Sequence, residues 1–274
     1  VICLAQLSDP HITARGHLLD GTVDTAAMLA RAVRAVAELR PAPAAVLITG
    51  DLVERGQPAE YDHLRELLEP LAMPVYLMPG NHDDTVALCR SFETHHYLQD
   101  GLAAASDGRL RYEVQVGPLR LLALDSRVPG IGAGCLSAAQ LDWLDTALCA
   151  RPDTPTLVAV HHPPFDTGIR FMDAMGLIEG REGLAQVLRR HSQVERVLCG
   201  HVHRAITSRF GGTLAMTAPS TAHQILLDLR EDGLAGCTME PPGMLLHAWQ
   251  AGQLVSHTVS LPEQPATVRY FGAG

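Results

Sequence analysis

Five short segments set metal-ligand side chains directly after apolar, strand-like runs. They are Asp9-Pro10-His11, Gly50-Asp51, Gly80-Asn81-His82-Asp83, His161-His162-Pro163 and Gly200-His201-Val202-His203. Each alone is weak: an Asp-x-His reads as a turn Asp and a surface His, and a Gly-Asp as a loop cap. Five in order over about two hundred residues form a strong signal, because independent motif errors multiply. A chain carrying them must fold so that several strands end side by side, since sites on open α/β sheets collect at the C-terminal ends of strands.

The pattern between the motifs agrees with that demand. Ile2 to Leu7, Ala45 to Thr49, Val75 to Met78, Thr156 to Val160 and Arg196 to Cys199 read as buried strands that deliver the motifs. Asp24 to Arg40 reads as a helix with Met28, Ala32, Val36 and Leu39 near one face and Pro41 after its end. Pro58 opens a second helix carrying Tyr61, Leu64, Leu68 and Leu71, and a third follows from Asp84. Arg111 to Val116 and Leu119 to Leu124 form a hairpin about Gly117-Pro118. Ser137 to Gln140 is a capping box for a helix with Leu141, Leu144 and Leu148, and another helix lies near Glu182 to Arg190. After His203 the chain turns β-rich, with strands at Thr213 to Thr217 and Gln224 to Leu229 and a hairpin from Met244 to Val259. Asp232 to Gly243 is rich in Gly and Pro and reads as a loop or lid. The expectation is a mixed, layered α/β domain over residues 1–274, whose β-rich part from about 205 to 274 serves as a lid or an oligomer contact.

Composition narrows the partners. A net charge of -9 argues against broad binding to nucleic-acid polymers or anionic membranes. An anionic substrate then needs local positive charge, which metal ions supply. No apolar run approaches the roughly 18 residues of a spanning helix. Val1 to Leu7 runs straight into Asp9 and His11, so it reads as a strand and not as a cleaved leader, and a cytoplasmic protein is expected. The six cysteines form no CxxC pair.

The chemistry follows from the ligand types. Asp9 and His11, two residues apart, would point the same way on extended backbone and grip one ion. Asp51 has two oxygens and can bridge two cations. Asn81 offers a neutral carbonyl oxygen, while His82 beside it can donate a proton to a leaving group. Of His161 and His162, one imidazole can bind metal while the other orients or packs. His201 and His203 repeat the two-residue spacing and can reach two neighbouring ions. A consistent division gives one ion Asp9, His11, Asp51 and His203, and the other Asp51, Asn81, His161 and His201. This donor set lacks thiolate, which fits Mn, Fe, Co or Zn. Two adjacent divalent ions lower the pKa of a bound water and clamp an in-line displacement at phosphorus.

With these residues in place the chain resembles the calcineurin-like metallophosphoesterases. The nearer likeness is to class III cyclic-nucleotide phosphodiesterases and the related glycerophosphodiesterases. It rests on Leu7-Ser8-Asp9, Gly50 to Val53, Gly56 to Tyr61, Pro79 to Asp84, His161 to Pro164 and Gly200 to His203, and covers most of the first 225 residues. The resemblance implies a four-layer αββα sandwich with two mixed sheets. By motif match it makes His161, not His162, the metal ligand and His82 the catalytic histidine. His223, in Thr221-Ala222-His223-Gln224, resembles a substrate-proximal histidine of the glycerophosphodiesterase branch. Where purple acid phosphatases place a ligand Tyr three residues after the bridging Asp, this chain has Glu54. The implied activity is hydrolysis of small phosphodiesters, 3',5'-cyclic nucleotides or glycerophosphodiesters, by a metal-bridging hydroxide in a homo-oligomer with two divalent ions per chain. A broad phosphomonoesterase and a non-catalytic scaffold of the same fold are the competing readings.

Overall fold

The computed structural model describes residues 1–261 and 263. The first third is built of strand–helix units: β1 (Ile2–Leu7), α1 (Thr25–Glu38), β2 (Ala45–Thr49), α2 (Pro58–Leu68), β3 (Val75–Met78), α3 (Thr85–Ser91) and α4 (His96–Ala103). The middle holds β4 (Arg111–Val116), β5 (Leu119–Leu124), β6 (Gly134–Cys135), α5 (Ala138–Ala150), β7 (Thr156–Val160), α6 (Arg170–Asp173), β8 (Leu177–Glu179), α7 (Arg181–Arg189) and β9 (Val194–Cys199). The last part is β10 (Ile206–Phe210), β11 (Thr213–Thr217), β12 (Gln224–Ile225), β13 (Cys237–Thr238), β14 (Gly243–Gln250) and β15 (Gln253–Ser260).

Two sheets dominate. One has the order β15-β14-β1-β2-β3, the other β10-β11-β9-β7-β5-β4. In the first, β1, β2 and β3 run parallel, and β14 joins β1 antiparallel. In the second, β5, β7, β9 and β11 run parallel, with antiparallel strands at both edges. Both sheets are therefore mixed.

Strand alternation explains why they stack. Side chains of a strand point to opposite faces in turn. On one face of the second sheet Leu119, Leu121, Ala123, Leu157, Ala159 and Leu198 join a core shared with β1, β2, α1 and α2. On the other face Leu122, Leu124, Val158, Val160, Val197 and Cys199 join Leu144 and Leu148 of α5 and Leu184, Val187 and Leu188 of α7. A sheet apolar on both faces must be covered twice, and the result is the four-layer αββα sandwich. Truncating a fully buried leucine such as Leu121 or Leu198 to Ala should cost about 2–5 kcal/mol.

A buried polar tie beside the site crosses the sheets. Buried Gln6 of β1 donates to Thr49 Oγ1 at 3.0 Å and to the carbonyl of Cys199 at 2.9 Å, and accepts from His247 Nε2 at 3.0 Å. Burial holds His247 neutral, with its pKa lowered to about 3. The hairpin of β14 and β15 is thus bonded into the first sheet beside β1. The expected strand over Gln224 to Leu229 is reduced to the two residues of β12, because Leu226, Leu227 and Leu229 turn outward and are exposed. The expected loop Asp232 to Gly243 contains β13, which pairs with β12 to form a small flap. The remainder of the C-terminal part, residues 262 and 264–274, lies outside the described residues.

Candidate metal centre

All five motifs sit just past the C-terminal ends of β1, β2, β3, β7 and β9, the first three from one sheet and the last two from the other. Pairing of β1 with β2 continues into the turns: Asp9 N–H donates to Gly50 O at 3.1 Å, His11 N–H to Asp51 O at 3.0 Å and Ile12 N–H to Leu52 O at 3.2 Å. The turns themselves are not extended. Asp9, His11, Asp51, His201 and His203 all have positive φ, between 46° and 70°. The two-residue spacing therefore converges through left-handed turns and not, as expected from the sequence, through extended backbone. Such conformations cost of order 1–3 kcal/mol each for non-glycine residues and cluster at functional sites. Gly80 has a different reason to be glycine: a Cβ there would collide with the backbone N and side-chain Oδ1 of Asp51.

Two groups of donor atoms result, and Asp51 belongs to both. In the first, His11 Nε2 lies 3.2 Å from His203 Nε2 and 3.6 Å from Asp51 Oδ2, and His203 Nε2 lies 3.6 Å from Asp9 Oδ1. In the second, His161 Nε2 lies 3.4 Å from Asp51 Oδ2 and 3.2 Å from Asn81 Oδ1, while His201 Nδ1 lies 3.0 Å from the same Asn81 oxygen. Apart from Asn81, which is partly exposed, these residues are buried.

The outer nitrogens fix which ring atom faces inward. His161 Nδ1–H donates to Thr49 O at 2.7 Å, His203 Nδ1–H to His223 O at 3.0 Å and His11 Nδ1–H to Glu54 Oε2 at 2.9 Å. Each leaves an Nε2 lone pair pointing into the group, the form in which imidazole binds metal. His162 also lies among these donors, yet its nitrogens are committed. Nδ1 accepts from Ser126 Oγ at 2.7 Å and Nε2 donates to Gly132 O at 3.0 Å. Of the two adjacent histidines, His161 faces the site and His162 packs behind it.

Electrostatics sharpen the picture. Burial lowers His162, aided by the charge of His161, to about 3, and pushes His201 and His203 well below the ordinary histidine range. His223 falls to about 4 through burial and the nearby His11. Burial would lower His161 as well, but Asp51 and Asp9 outweigh it and raise it to about 9, so without a metal ion a proton occupies the inward Nε2, and a bound cation would take that proton's place. Burial opposes ionisation of Asp51, yet His161 and His11 carry it well below the usual carboxylate range. For Asp9 burial prevails and lifts it to about 6. A dry cluster of lone pairs and carboxylates is a cation-binding environment, and its nitrogen and oxygen donors suit a divalent metal centre.

The remaining site residues surround this cluster. His82 Nδ1–H donates to Glu54 O at 2.9 Å, its N–H to Asp51 Oδ1 at 2.9 Å, and its ring packs edge-on against His11 at 4.6 Å. About a third of the His82 side chain is exposed, so Nε2 is open to an incoming molecule. The His223 ring stands 4.6 Å from His203 and 5.6 Å from His11. Asp83 had no role in the sequence reading. It accepts from Gly80 N–H at 2.8 Å, Leu52 N–H at 3.0 Å and Tyr61 OH at 3.0 Å, and so ties the Asp51 and Asn81 turns together. Glu54 was noted only as a departure from a ligand Tyr; no sequence signal marked its contact with His11.

The profile of the Calcineurin-like phosphoesterase family matches residues 4–205. A protein named probable glycerophosphodiester phosphodiesterase GpdQ, from Arcobacter nitrofigilis, is 38% identical over 256 residues, covering 93% of this chain and 92% of that protein. A protein named 3',5'-cyclic-nucleotide phosphodiesterase, from a Nostoc species, is 34% identical over 224 residues, 81% of this chain and 79% of that one. Among solved structures, a dimetal phosphatase from Danio rerio superposes with a TM-score of 0.63 over 96% of this chain and 99% of its own, at 17% identity, a likeness of fold.

Proposed function

Because this chain belongs to the calcineurin-like phosphoesterase family, we propose that it is a metal-dependent phosphoric diester hydrolase acting on small diesters, 3',5'-cyclic nucleotides or glycerophosphodiesters. The observation that carries this reading is the sharing of Asp51 between two donor groups, with His11 on one side at 3.6 Å and His161 on the other at 3.4 Å. Asp9, His11, Asp51 and His203 would hold one divalent ion, and Asp51, Asn81, His161 and His201 a second. Mn, Fe, Co or Zn suits this donor set. When bound, such ions supply Lewis-acid activation of water and neutralise the phosphate charge.

The chain's own groups do the rest. As an imidazolium, with Nδ1–H held by the Glu54 carbonyl, His82 presents its Nε2–H to protonate the departing alkoxide and is left neutral. His223 and the flap touch the alcohol portions, because the donor groups reach only the phosphorus that every candidate substrate shares. The flap is anchored beside the centre by Arg204, which donates to Ile225 O at 2.6 Å and pairs with Glu240 at 2.8 Å. We read residues 1–274 as one domain working as a cytoplasmic homo-oligomer, with exposed Leu226, Leu227, Leu229 and Leu234 of the flap as lid or self-contact surface. Among the described residues no helix is long and apolar enough to cross a membrane.

The test is turnover by the metal-loaded protein of bis(p-nitrophenyl) phosphate beside p-nitrophenyl phosphate. Preference for the diester is expected; preference for the monoester, or no turnover, overturns the reading. Cyclic AMP against glycerophosphoethanolamine then selects the substrate class, and light scattering reads the oligomer.

A further inference from the structure

The sequence leaves Glu54 without a task, and the structure places it at a junction. Pairing of the first two motif turns does not stop at His11. Ile12 forms a parallel bridge with Val53, and Glu54 N–H donates back to Ile12 O at 3.1 Å. This register fixes the Glu54 backbone next to His11 whatever its side chain does. The carboxylate then accepts the His11 Nδ1–H at 2.9 Å, while Glu54 O accepts the His82 Nδ1–H at 2.9 Å. The carboxylate is 3.5 Å from His82 Nδ1, so its short bond goes to His11 and the backbone serves His82.

We propose that Glu54 is a positioning residue for the metal centre: its carboxylate holds His11 in the tautomer and ring orientation that aim Nε2 at the Asp9, Asp51 and His203 donors. The inference rests on the functional reading above. The physical reason is general. A neutral imidazole carries one proton, and an acceptor at one nitrogen decides that the other keeps its lone pair. His161 and His203 have backbone carbonyls for this purpose, at Thr49 and His223. His11 uses the side chain of Glu54, so its orientation alone among these three can be removed by one substitution that leaves the backbone intact. An anionic acceptor also raises the basicity of the ring it holds, which strengthens the inward nitrogen as a donor. Loss of such an outer partner typically weakens metal affinity about 10–100-fold.

The experiment is Mn²⁺ binding to the metal-stripped full chain, followed by calorimetry and by electron paramagnetic resonance of free Mn²⁺. Wild type is compared with Glu54→Ala, Glu54→Gln, His11→Ala and the double variant Glu54→Ala/His11→Ala, each checked for folding by circular dichroism. Glu54→Ala should weaken one of two binding events about 10–100-fold and leave the other within a few-fold. Glu54→Gln should recover most of that loss, because its amide oxygen still accepts the Nδ1–H. In the His11→Ala background Glu54→Ala should add nothing, since the two changes act through one ring. Wild-type binding in folded Glu54→Ala overturns the proposal, as does a loss that persists at full size without His11 or that Gln does not rescue. If His11→Ala itself leaves Mn²⁺ binding unchanged, the reading of the metal centre has failed, an outcome distinct from failure of the Glu54 role.

Discussion

His11 and His203 face each other Nε2 to Nε2 at 3.2 Å, although they are 192 residues apart and follow strands of different sheets. Both outer nitrogens are taken, by Glu54 and by the His223 carbonyl, so both lone pairs turn toward the same point. Two lone pairs repel unless a proton or a metal ion lies between them. Metal should therefore act as a fastener across the sandwich. At about a hundred times its dissociation constant a ligand adds about 2.7 kcal/mol, and for a domain of this size 1 kcal/mol moves Tm by about 2–4 °C. Stripping the metal should lower Tm by about 5–10 °C in calorimetry, with recovery on adding Mn²⁺. A melting point indifferent to chelator would sink the proposed site.

Asp51 is the residue common to both donor groups. Asp51→Asn removes the charge while nearly preserving shape, so both ions should bind more weakly, where His11→Ala or His201→Ala should damage mainly one. Elemental analysis after gel filtration checks this. A full two-ion load in Asp51→Asn would show that the carboxylate does not bridge.

His82 touches Asp51 only through its backbone N–H, and its ring stands outside both groups. His82→Ala should leave metal content unchanged and lower kcat about 10²- to 10⁴-fold on diesters with poor leaving groups. The loss should shrink with p-nitrophenolate, which leaves without a proton. An equal loss on both substrate types would assign His82 to binding.

Asp125 follows the end of β5 and is not among the donor groups; it is buried, accepting from Thr85 Oγ1 at 2.9 Å and from Arg127 N–H at 2.8 Å. Burial outweighs these bonds and raises its pKa to about 6. The native state therefore holds this proton more tightly than the unfolded chain, and stability falls as pH rises from about 4 to about 6. A shift of roughly two units corresponds to about 3 kcal/mol. Asp125→Asn removes this dependence, so its stability relative to wild type should improve by about that amount across the window. Urea melts of both proteins in chelator, where titration at the metal centre is common to the two, supply the difference. A flat difference would show that Asp125 titrates near its ordinary value.

Much of this was legible beforehand, for a physical reason. Strands buried on both faces read as apolar runs, and Ala45–Thr49 and Thr156–Val160 fall where hydrophobicity places them; Leu119–Leu124 does so although Arg120, bonded to Glu113, interrupts its run, and Val75–Met78 does so with Val75 and Tyr76 only partly buried. Edge elements were harder. β10, Ile206–Phe210, is half exposed and mostly polar, and α4 carries Asp100 and Gly101 within eight residues, so neither announces itself. The ligand motifs were visible because their residue types are few and ordered. What supports them was not. Glu54 reaches His11 through a bridge between turns, and Ser126 occupies His162 from 36 residues away. The left-handed backbone was hidden as well, because Asp and His carry no local demand for it.

Those left-handed turns bear on how the chain could change. At Asp9, His11, Asp51, His201 and His203 the backbone would relax if the residue were glycine. Each turn is thus held against its own conformational preference, and what opposes the drift is retention of the donor atom, together at Asp9 and Asp51 with the N–H groups of His201 and His82 that those carboxylates accept. A variant library screened for heat resistance alone, without metal and without a turnover assay, would reward emptying these positions. The most durable descendants of this sequence would then be those that had forgotten its chemistry.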